Sequence, residues 1–151
     1  MRPFQFRAQA ALELRRREHE EALRRRAVAQ AALAAAGEAV AAAQDGIVAA
    51  DGECAAMMRA PVVEYARVQW HQAWRARCVE ERARLEVRRT QRDQELQLAT
   101  QYVSQTYRRV RSLERLREHA LAAWMLAAQQ DERKTMDALA ASRFVQEGEY
   151  R

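Results

Sequence analysis

Residues 51–63 read DGECAAMMRAPVV, and this stretch decides the fold. On both sides the chain forms helix for dozens of residues. Ala, Arg, Leu, Glu and Gln dominate there, and they lose little side-chain freedom in a helix. Within 51–63 the helix signals fail. Gly52, like Gly46 just upstream, weakens helical backbone. Pro61 has no N–H and disfavours helical geometry at Ala60, while it suits the first turn of a new helix. One short connection between two long segments predicts antiparallel neighbours. The expected fold is all-α: a long antiparallel two-helix coiled-coil hairpin with a longer C-terminal helix. The first helix is expected over about 4–58, the tip over about 52–63 and the second helix over about 61–146, all within one coiled-coil domain.

Working outward, the first segment has a seam at Leu33, Ala36, Val40, Ala43, Ile47, Ala50, Cys54 and Met57. The steps alternate three and four, the a/d pattern of a heptad. Upstream the same frame gives Leu12, Arg15, His19, Ala22, Arg26 and Ala29, a poorer seam. The second segment gives Cys78, Leu85, Leu96, Ala99, Val103, Thr106, Val110, Leu113, Arg117, Ala120, Trp124 and Ala127. Arg82, Arg89 and Arg92 fall on its seam, which predicts loose packing between Cys78 and Leu96. Alanine at every d position from 22 to 50 buries little area per layer but lets two backbones approach closely. Two helices alone have no third layer to complete a core, so the chain reads as one that works bound to something.

The lengths are unequal. Helices of ~55 and ~85 residues span ~80 and ~130 Å at ~1.5 Å per residue. A tip near residue 60 sets Phe4 against about residue 116–118 and leaves the last ~30 residues unopposed. That overhang carries Leu121, Trp124, Met125, Leu126, Met136, Leu139 and Phe144, an apolar stripe of the kind that marks an interaction surface. In a simple hairpin Trp124 has no core to join.

Composition narrows the classes further. Four Gly and two Pro in 151 residues are too few turns for a β-rich fold. A net charge of +5 admits nucleic acid or an acidic protein as partner and selects neither. The arginine runs at 15–17, 24–26, 88–89 and 108–109 are interleaved with Glu at i,i+3 and i,i+4 spacing, which neutralises them along a solvated helix. Nucleic acid is therefore not an expected partner. Cys54 and Cys78 lack CxxC spacing and read as core thiols in a reducing compartment rather than a disulfide. No apolar run approaches the ~18 residues of a membrane span. The N-terminus MRPFQFRAQ has no apolar core of a secretory signal. A soluble cytoplasmic protein is expected, touching membrane only indirectly.

Chemistry is sparse. His19, His71 and His119 have no Cys or His at ligand spacing, and there is neither a Gly-rich phosphate loop nor a GxSxG. No catalytic residue, metal or cofactor is expected. Trp70 and Trp74, four apart just after the tip with Val63 and Tyr65 nearby, either cap the core there or form a docking face, since Trp is enriched at binding hot spots.

Together these features resemble the FliJ family, the small coiled-coil proteins of the flagellar export apparatus. The similarity rests on MRPFQFRAQAALELRRREHEEA at the start, EYARVQWHQAW after the tip, SLERLREH at 112–119 and DERKTMDALAASRF near the end. Ala138 departs from it, since the family's ending has an acid there. The resemblance implies a shape similar to the gamma subunit of rotary ATP synthases and a site on the cytoplasmic face of the cell membrane at the flagellar basal body. It implies three partners: the export ATPase hexamer, the cytoplasmic part of the export-gate membrane protein, and export chaperones. By position, Phe4, Phe6, Leu12, Leu14, Met136, Leu139 and Phe144 would bind the ATPase ring. Ile47, Trp70 and Trp74 would face the gate. The alternatives are the stalk protein of a virulence type III secretion system, a homodimeric scaffold joined through the overhang, and a basic coiled coil on nucleic acid.

Overall fold

The computed structural model describes residues 3–62 and 64–149, with side chains as far as residue 141. Among these the chain is all-helical. Helix α1 spans Gln9–Met58 and helix α2 spans Tyr65–Glu149. The two long helices pack against each other. Their contacts fall into two units, residues 1–19 with 105–151 (unit 1) and residues 20–104 (unit 2).

Helix α1 ends at Met58 as the sequence predicts. Its last turn tightens: Arg59 N–H donates to Ala56 C=O and Ala60 N–H to Met57 C=O, both at 3.2 Å. The second of these i to i−3 bonds satisfies the Met57 carbonyl, whose helical donor would be Pro61, which has no N–H. Helix α2 starts at Tyr65, four residues later than expected, and Pro61 lies in the connection rather than in the new first turn. Glu64 C=O accepts from the N–H groups of Arg67 and Val68, so Glu64 is the residue that opens the helix. Gly46 and Gly52 do not interrupt α1. A glycine costs a helix about 1 kcal/mol, which fifty residues of otherwise favourable sequence absorb.

On α1 every position of the heptad frame from Leu12 to Met57 is at least half-buried. On α2 the frame holds from Cys78 to Trp124 except at Arg89 and Arg117, whose side chains are exposed. At its end the buried face has drifted, with Ala128 half-buried and Ala127 exposed. An α-helix turns 3.6 residues while the frame assumes 3.5, so such drift accumulates once nothing holds it. In unit 2 the fully buried apolar residues are Ala22, Ile47, Ala50, Val68 and Val103. None of the described side chains between Ala22 and Ile47 on α1, or between Val68 and Val103 on α2, is fully buried. The loose packing expected around Arg82, Arg89 and Arg92 is observed, with hollows beside Leu85, Arg89 and Arg92. Cys54 and Cys78 are half-buried and unbonded.

Two expectations need correction. Phe4 lies against Trp124, ring centroids 6.1 Å apart, rather than opposite residues 116–118. The first helix begins at Gln9, not Phe4, but the larger cause is the connection: α2 starts only at Tyr65, so Asp51 already meets Arg75 and His19 meets Thr106, each several residues further along α2 than a tip near residue 60 sets them. Leu121, Trp124 and Ala128 are consequently half-buried, and the fully exposed run starts only at Gln129. The second concerns membrane character. Helix α1 contains an 18-residue window of mean hydropathy 1.2, long and apolar enough to cross a membrane by length and composition. No run there is uninterrupted, but alanines with a few larger aliphatics outweigh the scattered charges in the average.

Two substitutions probe this architecture. Leu12→Ala should cost about 2–5 kcal/mol, because Leu12 is 0% exposed. Gly52→Ala should raise the melting temperature, gaining up to about 1 kcal/mol of helix propensity, since a Cβ there meets nothing within 4 Å. Thermal melts followed by circular dichroism check both.

Candidate partner-binding surfaces

In unit 1, the interface beside the buried Leu12 and Val110 includes a polar contact. Thr106 is 1% exposed, and its Oγ1 lies 2.9 Å from His19 Nδ1, in a hydrogen bond whose direction follows the histidine tautomer. Tyr107 stacks at a tilt on the His19 ring, centroids 5.9 Å apart. A buried polar pair on a helix seam restricts register, because sliding either helix leaves a buried group unbonded. Beside it Arg16 donates to Glu114 at 2.9 Å, and Arg111 donates to the other Glu114 oxygen at 3.0 Å. The hydrogen bond from Arg16, then that from Arg111, holds the Glu114 carboxyl below the usual glutamate range. Arg15–Glu18 and Arg25–Glu21 are the short-range pairs the sequence suggested within its arginine runs, whereas Arg88, Arg89, Arg108 and Arg109 have no ion pair with a described residue.

The residues expected to meet an ATPase ring divide three ways. Leu12 is fully buried between the helices and presents no surface, so it is corrected to a core residue. Phe4 and Phe6 are half-buried, Phe4 against Trp124, and they border a hollow with Gln9 and Arg117. Leu14, Met136 and Leu139 are exposed, at 55%, 67% and 60%. Every residue of α2 from Gln129 to Ala141 is exposed. The Phe144 side chain lies outside those described.

Unit 2 holds the aromatic pair. Trp70 and Trp74 stack face to face, centroids 6.1 Å apart and planes within 2°. Both are exposed, so they do not cap the core. Ile47 is buried at 5%, and it is corrected from a gate-facing residue to a core one: a side chain inside the helix interface cannot reach a partner. Tyr65 is exposed and Val63 lies outside the described residues. The sequence did not single out two neighbours of the pair. The His71 ring meets Trp70 edge-on at 5.0 Å. Its Nδ1 is buried without a hydrogen-bond partner and faces Glu53 across 3.7 Å. The heptad frame that yields Cys78 extends back to His71, so periodicity could have placed it on the interface. One turn along, Arg75 pairs with Asp51 through a short hydrogen bond that raises the guanidinium pKa.

Among the described residues no group of three or more His, Cys, Asp or Glu side chains could hold a metal ion. No family model, curated protein or solved structure matches this chain.

Glu114 gives a signed pH dependence. Its folded pKa is depressed, so its stabilisation is present above the unfolded glutamate value and is lost as pH falls through the folded one. Glu114→Gln should therefore melt below the parent at neutral pH. The two curves should converge under acid conditions below the ordinary glutamate range. For the aromatic pair, Trp70→Ala with Trp74→Ala should leave the chain folded, with a loss well under the ~3–5 kcal/mol of buried aromatic truncation. Urea titration of parent and double variant measures the difference.

Proposed function

We propose that this chain is the coiled-coil stalk protein of a flagellar-type export apparatus, without catalytic activity or cofactor of its own. In this reading unit 1 enters the ring of the export ATPase, and the exposed Trp70–Trp74 pair of unit 2 docks on the cytoplasmic part of the export gate. Export chaperones are the third class of partner. The site of action is the cytoplasmic face of the membrane at the basal body, with contact to lipid only indirect.

One observation carries the reading. Helix α2 continues for thirteen residues, Gln129 to Ala141, with every side chain exposed and with Met136 and Leu139 among them. A helix that keeps large apolar groups exposed to water favours a sheath supplied by another protein. The antiparallel direction of the helices is part of the proposal. Within unit 1, Arg16 meets Glu114 while His19 meets Thr106. Within unit 2, Gln44, Asp51 and Glu53 meet Arg82, Arg75 and His71 in that order. In both sets the α2 number falls as the α1 number rises, which supports antiparallel pairing. The sequence resemblance to the FliJ family supports the choice of partner.

The test is the ATPase encoded in the same genome. A ligand that binds only the assembled ring favours assembly by mass action. Adding this chain should raise ATPase activity per subunit and shift the enzyme toward hexamer, saturating near one copy per six subunits, since one stalk occupies one closed ring. Deleting residues 130–151 should abolish both effects and leave gate binding intact. Trp70→Ala with Trp74→Ala should do the reverse. Equal stimulation by the truncated chain would remove the ring assignment. No stimulation, together with a stable homodimer through Met125 and its neighbours, would replace the stalk with a scaffold.

A further inference from the structure

Unit 2 contains an apolar groove that the stalk reading does not use. Ala32, Ala39 and Gly46 are seven residues apart and share one stripe of α1. They border two hollows on the same side of the helix pair. One, of about 450 Å³, runs from Ala43 and Gly46 to Trp74 and Cys78. The other, of about 290 Å³, lies between Ala36, Ala39 and Leu85. From Ala32 to Gly46 the groove follows roughly 21 Å of helix, about four turns. It falls where none of the described side chains is fully buried, so the apolar floor stays within reach of a visitor.

The rims differ in charge. On the α1 side the lining residues are Ala and Gly. On the α2 side stand Arg77, Arg84, Arg88 and Arg92 with Glu80 and Glu81. Arg84 engages both glutamates, at 2.6 and 3.9 Å, and Arg92 engages Glu95 at 2.7 Å. Arg77 and Arg88 have no ion pair with any described residue. They are eleven apart, three turns along one flank of α2, so two unneutralised guanidinium groups overlook the groove.

We propose that this groove binds an amphipathic partner helix with an aliphatic face and an acidic flank. Its larger aliphatic side chains lie over the Ala and Gly floor, which is shallow enough to admit a third backbone. Carboxylates about three turns apart meet Arg77 and Arg88. The Trp74 indole, 46% exposed, closes one end. This is helix-in-groove recognition, with affinity from the apolar face and selection from charge. The proposal stands without the export reading, although Trp74 belongs to both surfaces.

The experiment uses the full-length chain and two labelled synthetic helices of about three heptads, with Leu at a and d and either Glu or Lys at e and g. Fluorescence anisotropy measures binding. The Leu/Glu helix should bind at least ~10-fold more tightly than the Leu/Lys helix, which is one ~1.4 kcal/mol step, and should weaken with added salt. Arg77→Glu with Arg88→Glu should invert the preference, whereas Arg108→Glu with Arg109→Glu, outside the groove, should not. Gly46→Leu should fill the first hollow and weaken binding by at least ~10-fold, because a Cβ there meets nothing within 4 Å and the added side chain takes the partner's place. If that variant loses helicity, the Arg77 and Arg88 reversal decides alone, since both side chains are exposed. Equal binding of the two helices would overturn the proposal. So would indifference to the Arg77 and Arg88 reversal, or self-association of the chain that Gly46→Leu abolishes, which would make a second copy the occupant.

Discussion

A helix pair has one interface, and everything in this protein follows from how little that interface can bury. Each helix turns one stripe toward the other, and the described residues form no third layer. With alanine at one of the two heptad positions along most of α1, the stripe is narrow as well as single. The fully buried residues of unit 2 are small aliphatics set toward its two ends, and its middle stretch has none. Close approach of the backbones is gained at the cost of apolar area per layer.

That constraint sorts the side chains. In unit 1, Leu12 and Val110 are buried, and beside them the interface makes the hydrogen bond between His19 and Thr106. It contributes register more than stability, because a buried polar pair penalises every shifted alignment. The two arginines on Glu114 act similarly at the edge of the interface. Exposed ion pairs of this kind are weak singly. Their value lies in keeping one carboxylate bonded from both helices.

Large apolar residues that the interface cannot accept remain outside. Trp70 and Trp74 lie against one another, and Met136 and Leu139 sit on a stretch of α2 exposed throughout. Exposed aromatic and thioether groups on a thin scaffold are binding surface by default, since hydration of that area is costly unless a partner covers it. The proposed export stalk and the proposed acidic-helix groove would both draw on this surplus. The first uses the helix extension and the aromatic pair. The second uses the space left where alanine and glycine face leucine and arginine.

The sequence determined the helices and the face each one buries. Alternating steps of three and four from Leu12 to Met57 sufficed, because heptad periodicity fixes which residues share a stripe whatever the partner. The end of α1 at Met58 was legible because Pro61 acts locally on Ala60. Tertiary structure alone decided where side chains met. Phe4 reached Trp124 because the connection runs on to Tyr65 and shifts the pairing of the two helices, as Asp51 with Arg75 and His19 with Thr106 also show, which no periodicity records. Leu12 and Ile47 were assigned to partners by the position of their segments although the heptad frame already set both on the seam, and burial decides for the seam. The Arg77 and Arg88 flank could not be read either. Which arginines remain unneutralised depends on which glutamates their neighbours take, and side-chain reach in three dimensions settles that.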